Sequence, residues 1–427
     1  MQKKIIALAI AGLVSGGAFA QSNVTISGEM KVGYEGVSAG GATSNVALGA
    51  NMTSRQRITD NNSKIKIAGE ETLGNGMTAW WQMESAIGSS DNIGTTAAPV
   101  AAGANSATLG TRNTAVGIKG AFGNFFMGKW DVHYNSAGGV DSMGLADGHG
   151  LMTSSLSILH TNGAVGTATN ASAANGFGGR LNNVMSYTSP NFSGFAIDVK
   201  HSTSGMATGT QSENTSPNMA AKEKTWAFNP TYNNGPITAF YSWAKATNHG
   251  AVVQANVAGN SGSDITGQRL GGAYTLPMGL KIGLIWDKNK FRTADGTATL
   301  LGLGVTAANG GGGNVGVHNS RERTAWAVPV QYVTGAHKVN FTYAVARNLK
   351  TDVGTVDDSG AKMYVIGYEY SLSKRTSVAA SWLSINNGRN AAYDGWHPSS
   401  SVAGTSGLGM SAGADPRVLQ MNLRHAF

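Results

Sequence analysis

The stretch Ser63–Glu84, SKIKIAGEETLGNGMTAWWQME, decides the fold of this chain. Side chains of contrasting character alternate through its first half, Lys64–Glu70, and again through its second half, Met77–Glu84. A period of two places successive side chains on opposite faces of a β-strand. The four residues Leu73–Gly76 between the halves include two glycines, which favour a tight hairpin turn. The stretch therefore predicts a β-hairpin, and the fold depends on how often this unit recurs.

The first twenty residues are typical of a secretory signal peptide. Lys3 and Lys4 form a basic head, Ile5–Val14 is an apolar segment too short to span a bilayer, and Ala18–Ala20 has the small-x-small cleavage pattern. We therefore expect residues 1–20 to be cleaved, leaving residues 21–427 as one exported domain. A buried N-terminal helix is the less favoured interpretation.

Composition argues against several classes of protein. The 427 residues include no cysteine, which excludes a disulfide framework and a thiolate metal site. After residue 20 no segment has the ~18 consecutive apolar residues of a membrane-spanning helix. The formal net charge of +8 comes from scattered lysines and arginines, so it does not indicate nucleic-acid binding. Because HExxH and phosphate-binding motifs are absent, we expect no enzyme activity, no cofactor and no metal.

The hairpin unit occurs seven times in all between an opening and a closing strand. The predicted hairpins are Ser63–Glu84, Asn113–Trp130, Asn182–His201, Lys224–Lys245, Gln268–Lys288, Thr324–Arg347 and Lys362–Asn386, flanked by Asn23–Glu35 and Arg417–Phe427. This makes sixteen strands, and an even number lets the last strand pair antiparallel with the first and remove the exposed edges. Strands of ~9–12 residues are long enough to cross a bilayer when tilted. The pattern predicts an all-β, 16-stranded antiparallel transmembrane β-barrel.

The lengths of the connections between strands and the aromatic outer face of the strands favour a barrel located in a bacterial outer membrane. Short turns alternate with long loops, such as those expected at Gly36–Asn61 and Gly88–Thr111, as in barrels with short periplasmic turns and long external loops. One face of the strands is rich in aromatic residues that would meet lipid, including Trp81, and a sandwich or propeller core is the competing interpretation. Pro230 and Pro329 lie within predicted strands, where each removes a ladder donor.

The end of the chain carries a more specific signal. The last residue is Phe427, and apolar residues occupy the alternate positions Leu423, Met421 and Leu419 before it. This ending, with Leu419, Met421, Leu423 and Phe427, resembles the signal by which the barrel-assembly machinery recognises outer-membrane barrels. Four further segments carry a family resemblance of their own: NVTISG at Asn23–Gly28, GEETLGNG at Gly69–Gly76, GNFFMGK at Gly123–Lys129 and NVMSYTSPNFSGF at Asn183–Phe195. Through these segments the chain resembles a Gram-negative general porin of the β-proteobacterial type.

The resemblance implies a homotrimer of barrels in outer-membrane lipid. It also implies that the third long loop, here Asp131–Gly179, folds into the pore and narrows it. The family commonly places arginines on the barrel wall facing this loop, and Lys64 departs from this usual arginine. Lys64 and Arg180 match such positions, with Lys66 on the same face, whereas Asn113 stands where another basic residue is often found.

Lysines and arginines in a water-filled constriction would lower the barrier for anions and raise it for cations. We expect the basic wall of the constriction to consist of Lys64, Lys66 and Arg180. Secondary basic candidates for the pore are Lys31, Arg112, Lys129, Lys281 and Lys338, although Arg112 and Lys129 point to the outer face unless their strands bend. Asp141 and Asp147 on the third loop would supply the opposing acids. The competing interpretations are solvated rim charges and ordinary turn aspartates.

The predicted function is passive diffusion of small hydrophilic solutes and ions, with a mild preference for anions. One alternative is a solute-selective channel, for example for organic anions, that uses the same lysines as ligands. A second alternative is a structural or adhesive barrel with a blocked lumen. Conductance separates this last alternative from the two channels, and saturable block by a solute separates the selective channel from the general one.

Overall fold

Sixteen antiparallel strands close into a single barrel. The computed structural model describes residues 23–43, 52–88, 109–141, 155–159, 180–203, 224–249, 263–293, 320–352, 354–394 and 412–427, so the predicted signal peptide lies outside the described residues. The strands are β1 Asn23–Gly40, β2 Met52–Asp60 and Lys64–Gly74, β3 Met77–Ala86, β4 Thr114–Gly120, β5 Gly123–Asp131, β6 Arg180–Thr188, β7 Phe195–Ser202, β8 Lys224–Asn234, β9 Ile237–His249, β10 Ser263–Thr275, β11 Leu280–Thr293, β12 Ser320–Thr334, β13 His337–Ala346, β14 Ala361–Ser371, β15 Thr376–Asn387 and β16 Asp415–Ala426. Each pairs with its neighbours in the chain, which confirms the predicted fold class.

The barrel closes where the first strand meets the last. β1 pairs with β16 over twelve residue positions, from Glu29 opposite Ala426 to Gly40 opposite Asp415. Beyond the ladder, the amide of Gly28 donates to the carbonyl of Phe427 at 2.9 Å, and the Phe427 amide donates to the Gly28 carbonyl at 3.0 Å. Closure satisfies backbone groups that an open sheet edge would expose to lipid.

The first external connection is mostly strand, not the loop expected at Gly36–Asn61. β1 continues to Gly40, and β2 begins at Met52 and is interrupted only at residues 61–63, where Asn62 adopts a φ of 71°. The Gly36–Gly40 segment matches the G-x-S-x-G spacing of serine hydrolases, but it continues β1 without the strand-to-helix turn that such a nucleophile requires. The small and polar residues of Gly36–Asn61 favour a loop in the sequence, whereas Gly36–Gly40 and Met52–Asp60 pair as strands.

Both strand prolines interrupt the ladder on one side only. Pro230 lies opposite Ile197 of β7, whereas the pairing of β8 with β9 skips from Thr231 to Phe228. Pro329 likewise pairs with β13, whereas the register between β11 and β12 jumps from Val330 to Ala327. Because proline has no amide hydrogen, each strand loses bonds to one neighbour and stays in the sheet through the other.

The outward face is apolar and the inward face is mixed. Trp81, Phe125 and Trp382 are each about two-fifths exposed on the outer surface, as predicted for side chains that contact lipid. On the inner face, the walls of β12 to β14 carry alanines where the third long loop packs. The described parts of this loop include the 3₁₀ turn His133–Asn135 and one turn of α-helix, α1, at Leu156–Leu159. These parts fold inward, as the resemblance implied.

No helix in the described part of the chain is both long and apolar enough to cross a membrane.

Candidate pore site

A first group of charges on the inner wall is centred on Glu29. Its Oε1 lies 2.9 Å from the Nζ of Lys31 and 3.3 Å from the Nζ of Lys64. Its Oε2 lies 2.9 Å from the Nε of Arg424. β1 lies between β2 and β16 in the sheet, so the register alone brings these three cations to one carboxylate. The group carries two excess positive charges.

A second group lies across the next strands of the same wall. The Nε of Arg112 is 2.6 Å from Glu84 Oε1, and the Nε of Arg180 donates to Asn113 Oδ1 at 3.1 Å. Arg180 Nε also lies 3.4 Å from the Oδ1 of Asp131. Arg112 reaches the inward side because β4 begins only at Thr114, so strand parity does not govern it.

Lys66 lies between the two groups on the inner wall. It lies on β2 with the inward parity of Lys64, directly opposite Glu84 in the register, and it forms no ion pair with any residue that the structure describes. We define the basic band as the two groups together. The band contains the cations Lys31, Lys64, Lys66, Arg112, Arg180 and Arg424 and the carboxylates Glu29, Glu84 and Asp131. Six cations against three carboxylates leave an excess of three positive charges.

On the other side of the barrel, a buried cluster fastens the third loop to the wall. Asp287 on β11 lies between Arg269, whose Nε is 3.0 Å from Asp287 Oδ2, and Arg323, whose Nη2 contacts Asp287 Oδ1; all three side chains are fully buried. Tyr134 of the loop donates its hydroxyl hydrogen to Asp287. Burial raises the pKa of Tyr134, so its hydroxyl keeps the hydrogen that it donates.

The same arginines also bind the backbone of the loop. Arg269 Nη1 donates to the carbonyls of Tyr134 at 2.7 Å and Ser136 at 2.8 Å, and Arg323 Nη2 donates to the Leu159 carbonyl at 2.7 Å. The loop also packs closely against the wall at Gly138. Any larger residue there would place its Cβ 2.3 Å from the Phe240 ring, so only glycine fits. The described parts of the loop therefore cover the wall of β8 to β13, and the basic band covers the wall of β16 to β6.

The remaining predicted residues lie apart from the basic band. The ammonium of Lys281 donates to the Gly139 carbonyl at 2.5 Å, and Lys338 pairs with Glu369 at 2.7 Å. Asp141 is buried in the loop, where its Oδ2 accepts the Ser155 amide at 2.9 Å. Lys129 keeps the parity of the exposed Met127, and its Nζ approaches the Thr111 carbonyl at 3.5 Å. Asp147 lies outside the described residues.

Sequence reasoning missed the residues that hold the loop. Arg269, Asp287 and Arg323 have the inward parity of their strands, so a search for charged residues in the middle of strands could have found them. A further group of three residues was missed at the base of the loop, where His133 Nε2 lies 2.9 Å from Asp198 Oδ1 and Lys200 pairs with the same oxygen. The burial of Arg269, Asp287 and Arg323 could not be read from the sequence, because it depends on the loop that covers them.

This geometry can act on permeating ions, because it fixes charges on the inner wall of the barrel, where Lys64 and Arg180 are partly exposed and Lys31 and Arg112 are buried. Five of the six cations of the basic band stand on strands of the sheet, and the described parts of the third loop are bonded to the opposite wall. Fixed charges at a narrow place in a water-filled lumen bias which ions enter. The fold and the site thus define a transmembrane β-barrel channel.

Comparison with known proteins identifies the family. The family model for Gram-negative porins matches residues 7–390, so the chain belongs to the Gram-negative porin family, whose members are channels of the outer membrane. The chain is 26% identical to outer membrane porin protein 32 of Delftia acidovorans over the full length of both. It is 25% identical to the major outer membrane protein P.IB of Neisseria lactamica, over 91% of this chain and 95% of that one.

Solved structures share the same fold. The anion-selective porin from Comamonas acidovorans superposes with a TM-score of 0.63 at 20% identity, covering 95% of this chain and all of that one. OmpT of Vibrio cholerae, in a trimer form, gives a TM-score of 0.58 at 14% identity, covering 95% of this chain and 99% of that one.

Proposed function

We propose that this chain forms a homotrimeric outer-membrane channel in which small hydrophilic solutes diffuse passively and anions pass somewhat more readily than cations. Lys64, Lys66 and Arg180 carry the preference. The observation that supports this most directly is the basic band, which holds three excess positive charges on the wall that the described parts of the loop leave uncovered.

The size of the preference follows from charge and screening. In a water-filled pore, one unit charge about 7 Å from a passing ion contributes roughly 0.6 kcal/mol before screening. At physiological ionic strength charges beyond ~8 Å are largely screened, so only those at the narrowest place act. A few net charges under these conditions give a mild preference. The similar Comamonas protein is called anion-selective, which agrees with this sign.

The homotrimer and the assembly route belong to the same proposal. The similar OmpT structure is described as a trimer form. Leu419, Met421, Leu423 and Phe427 all point outward and are each 43% to 53% exposed, so they form the apolar row that the barrel-assembly machinery would bind. Residues 1–20 would be removed on export, leaving residues 21–427 as the barrel.

Planar-bilayer recording in a potassium chloride gradient tests the preference. The variant Lys64→Glu with Arg180→Glu changes four units of charge, which is about 2 kcal/mol before screening. The reversal potential should therefore move toward cation preference. The matched control is Lys362→Glu, on the outer face of β14, which should leave the potential unchanged. An unchanged potential in the double variant would remove both residues from the constriction.

Two other functions would give different records. A solute-selective channel for organic anions would show saturable block by its solute. A structural or adhesive barrel would show no steady open channel in the same bilayer.

A further inference from the structure

Three aromatic rings form a ledge on the inner wall, near the turns between β2 and β3 and between β4 and β5. We define the aromatic ledge as Trp80, Phe126 and Trp130. The ring centroids of Phe126 and Trp130 are 4.7 Å apart, and those of Trp80 lie 5.5 Å from Phe126 and 6.1 Å from Trp130. These separations and tilts are those of favourable aromatic contacts.

The ledge faces the lumen and is only partly covered. Trp80 shares the inward parity of Gln82 and Glu84, whereas the next residue, Trp81, is 39% exposed on the outer surface. Phe126 is buried at the back of the ledge, and Trp80 and Trp130 remain partly exposed. Both indoles pack against the buried apolar cluster around Phe126, and the ring surface that stays accessible to the aqueous lumen carries a cost that an apolar solute would remove.

The wall is shaped to hold the rings in place. Gly117 lies opposite both Trp80 and Phe126 in the register, and a Cβ there would lie 2.8 Å from Trp80 Cε2 and 2.7 Å from Phe126 Cβ. The indole nitrogen of Trp80 donates to Asn124 Oδ1 at 2.7 Å, which fixes the direction of the ring. The Trp80 ring is therefore preorganised.

The external edge of the ledge borders the basic band. Trp130 is followed directly by Asp131, which binds Arg180. Trp80 lies opposite Glu70 on β2, and Lys66 is four residues further along that strand, about 13 Å at ~3.3 Å per residue. Lys66 is the cation of the band for which the described residues supply no ion pair.

We propose that the aromatic ledge is a binding subsite for planar aromatic carboxylates inside the channel. Because the Trp80 and Trp130 planes are inclined by 73°, the ring of the solute stacks on the face of one indole with its edge against the other, and its carboxylate points toward Lys66 and Arg180. This proposal rests on the proposed channel function and narrows its solute class. An aromatic anion satisfies both features of the site, whereas a neutral sugar would use the rings and leave the charge unused.

Block of the ion current by benzoate, compared with cyclohexanecarboxylate, tests the proposal. The two anions have the same charge and similar size, and only benzoate can stack. Benzoate should bind several-fold more tightly, since a favourable ring pair corresponds to roughly a two- to tenfold difference. Trp80→Leu and Trp130→Leu should abolish this difference, and Trp81→Leu, the outward neighbour, should preserve it. Lys66→Gln should weaken block by both anions.

Three results would overturn the proposal. Equal block by the two anions in the unmodified channel would exclude stacking, whether or not any leucine variant forms channels. A benzoate preference that survives both inward tryptophan substitutions would place the subsite elsewhere. Stronger block by a neutral pyranose such as glucose would assign the ledge to sugars. In each case the potassium chloride current remains, whereas absence of that current refutes the channel function itself.

Discussion

Removing the carboxylate of Asp287 should loosen the third loop and destabilise the barrel. In Asp287→Ala, Arg269 and Arg323 remain charged, because arginine does not lose its proton in proteins. Both side chains are fully buried, with Asp287 as their shared counter-ion. Removal of one partner from a buried ion pair costs about 3–5 kcal/mol. Tyr134 also loses the acceptor of its hydroxyl hydrogen.

The control is another aspartate paired with a basic residue in the same barrel. Asp264 on β10 lies 3.7 Å from Lys245, and both side chains are more than two-fifths exposed. An exposed pair of this kind contributes about 0–1 kcal/mol. Asp264→Ala should therefore change stability little, although the substitution is chemically the same.

Two measurements on the refolded channel separate the possible outcomes. Urea unfolding in detergent should show a loss of about 3 kcal/mol or more in Asp287→Ala and less than about 1 kcal/mol in Asp264→Ala. Single-channel records of Asp287→Ala should show added current fluctuations, because the loop has lost its attachment. Equal stability and equally quiet records for both variants would refute the reasoning that this cluster holds the loop.

Further predictions concern the basic band, the ledge and closure. Glu29→Gln removes the central carboxylate of the first group, so anion preference measured by reversal potential should increase. The variant barrel should also be less stable, because the buried Lys31 loses its ion pair with Glu29. A reversal potential that moved toward cation preference would contradict this. Gly117→Ala should cost about 1–3 kcal/mol in urea unfolding because its Cβ overlaps neighbouring atoms, whereas Gly272→Ala, with only one atom 3.9 Å away, should cost much less. Phe427→Ala should lower the amount of assembled protein in outer-membrane fractions; normal amounts would show that the terminal ring is dispensable.

Strand count and pairing were predictable because a strand sorts its side chains locally. The seven hairpins and the flanking strands were confirmed, since a period of two and glycine-containing turns need no knowledge of distant residues. The predicted ends of the strands were wrong where a strand has a loop-like composition. Gly36–Asn61 has the small and polar residues of a loop but is mostly strand. The register of β1 with β16 could be anticipated only as a consequence of closure.

The sequence by itself determined the sheet, its inside-out pattern and the inward direction of Lys64 and Lys66, because parity fixes each residue's face. Only the tertiary structure decided which charges meet. Glu29 gathers cations from three strands, one of them at the other end of the chain, and Asp287 clamps a loop that precedes it by more than a hundred residues. Such encounters depend on barrel closure and on how the loop folds into the lumen, and periodicity along a single strand carries no information about either.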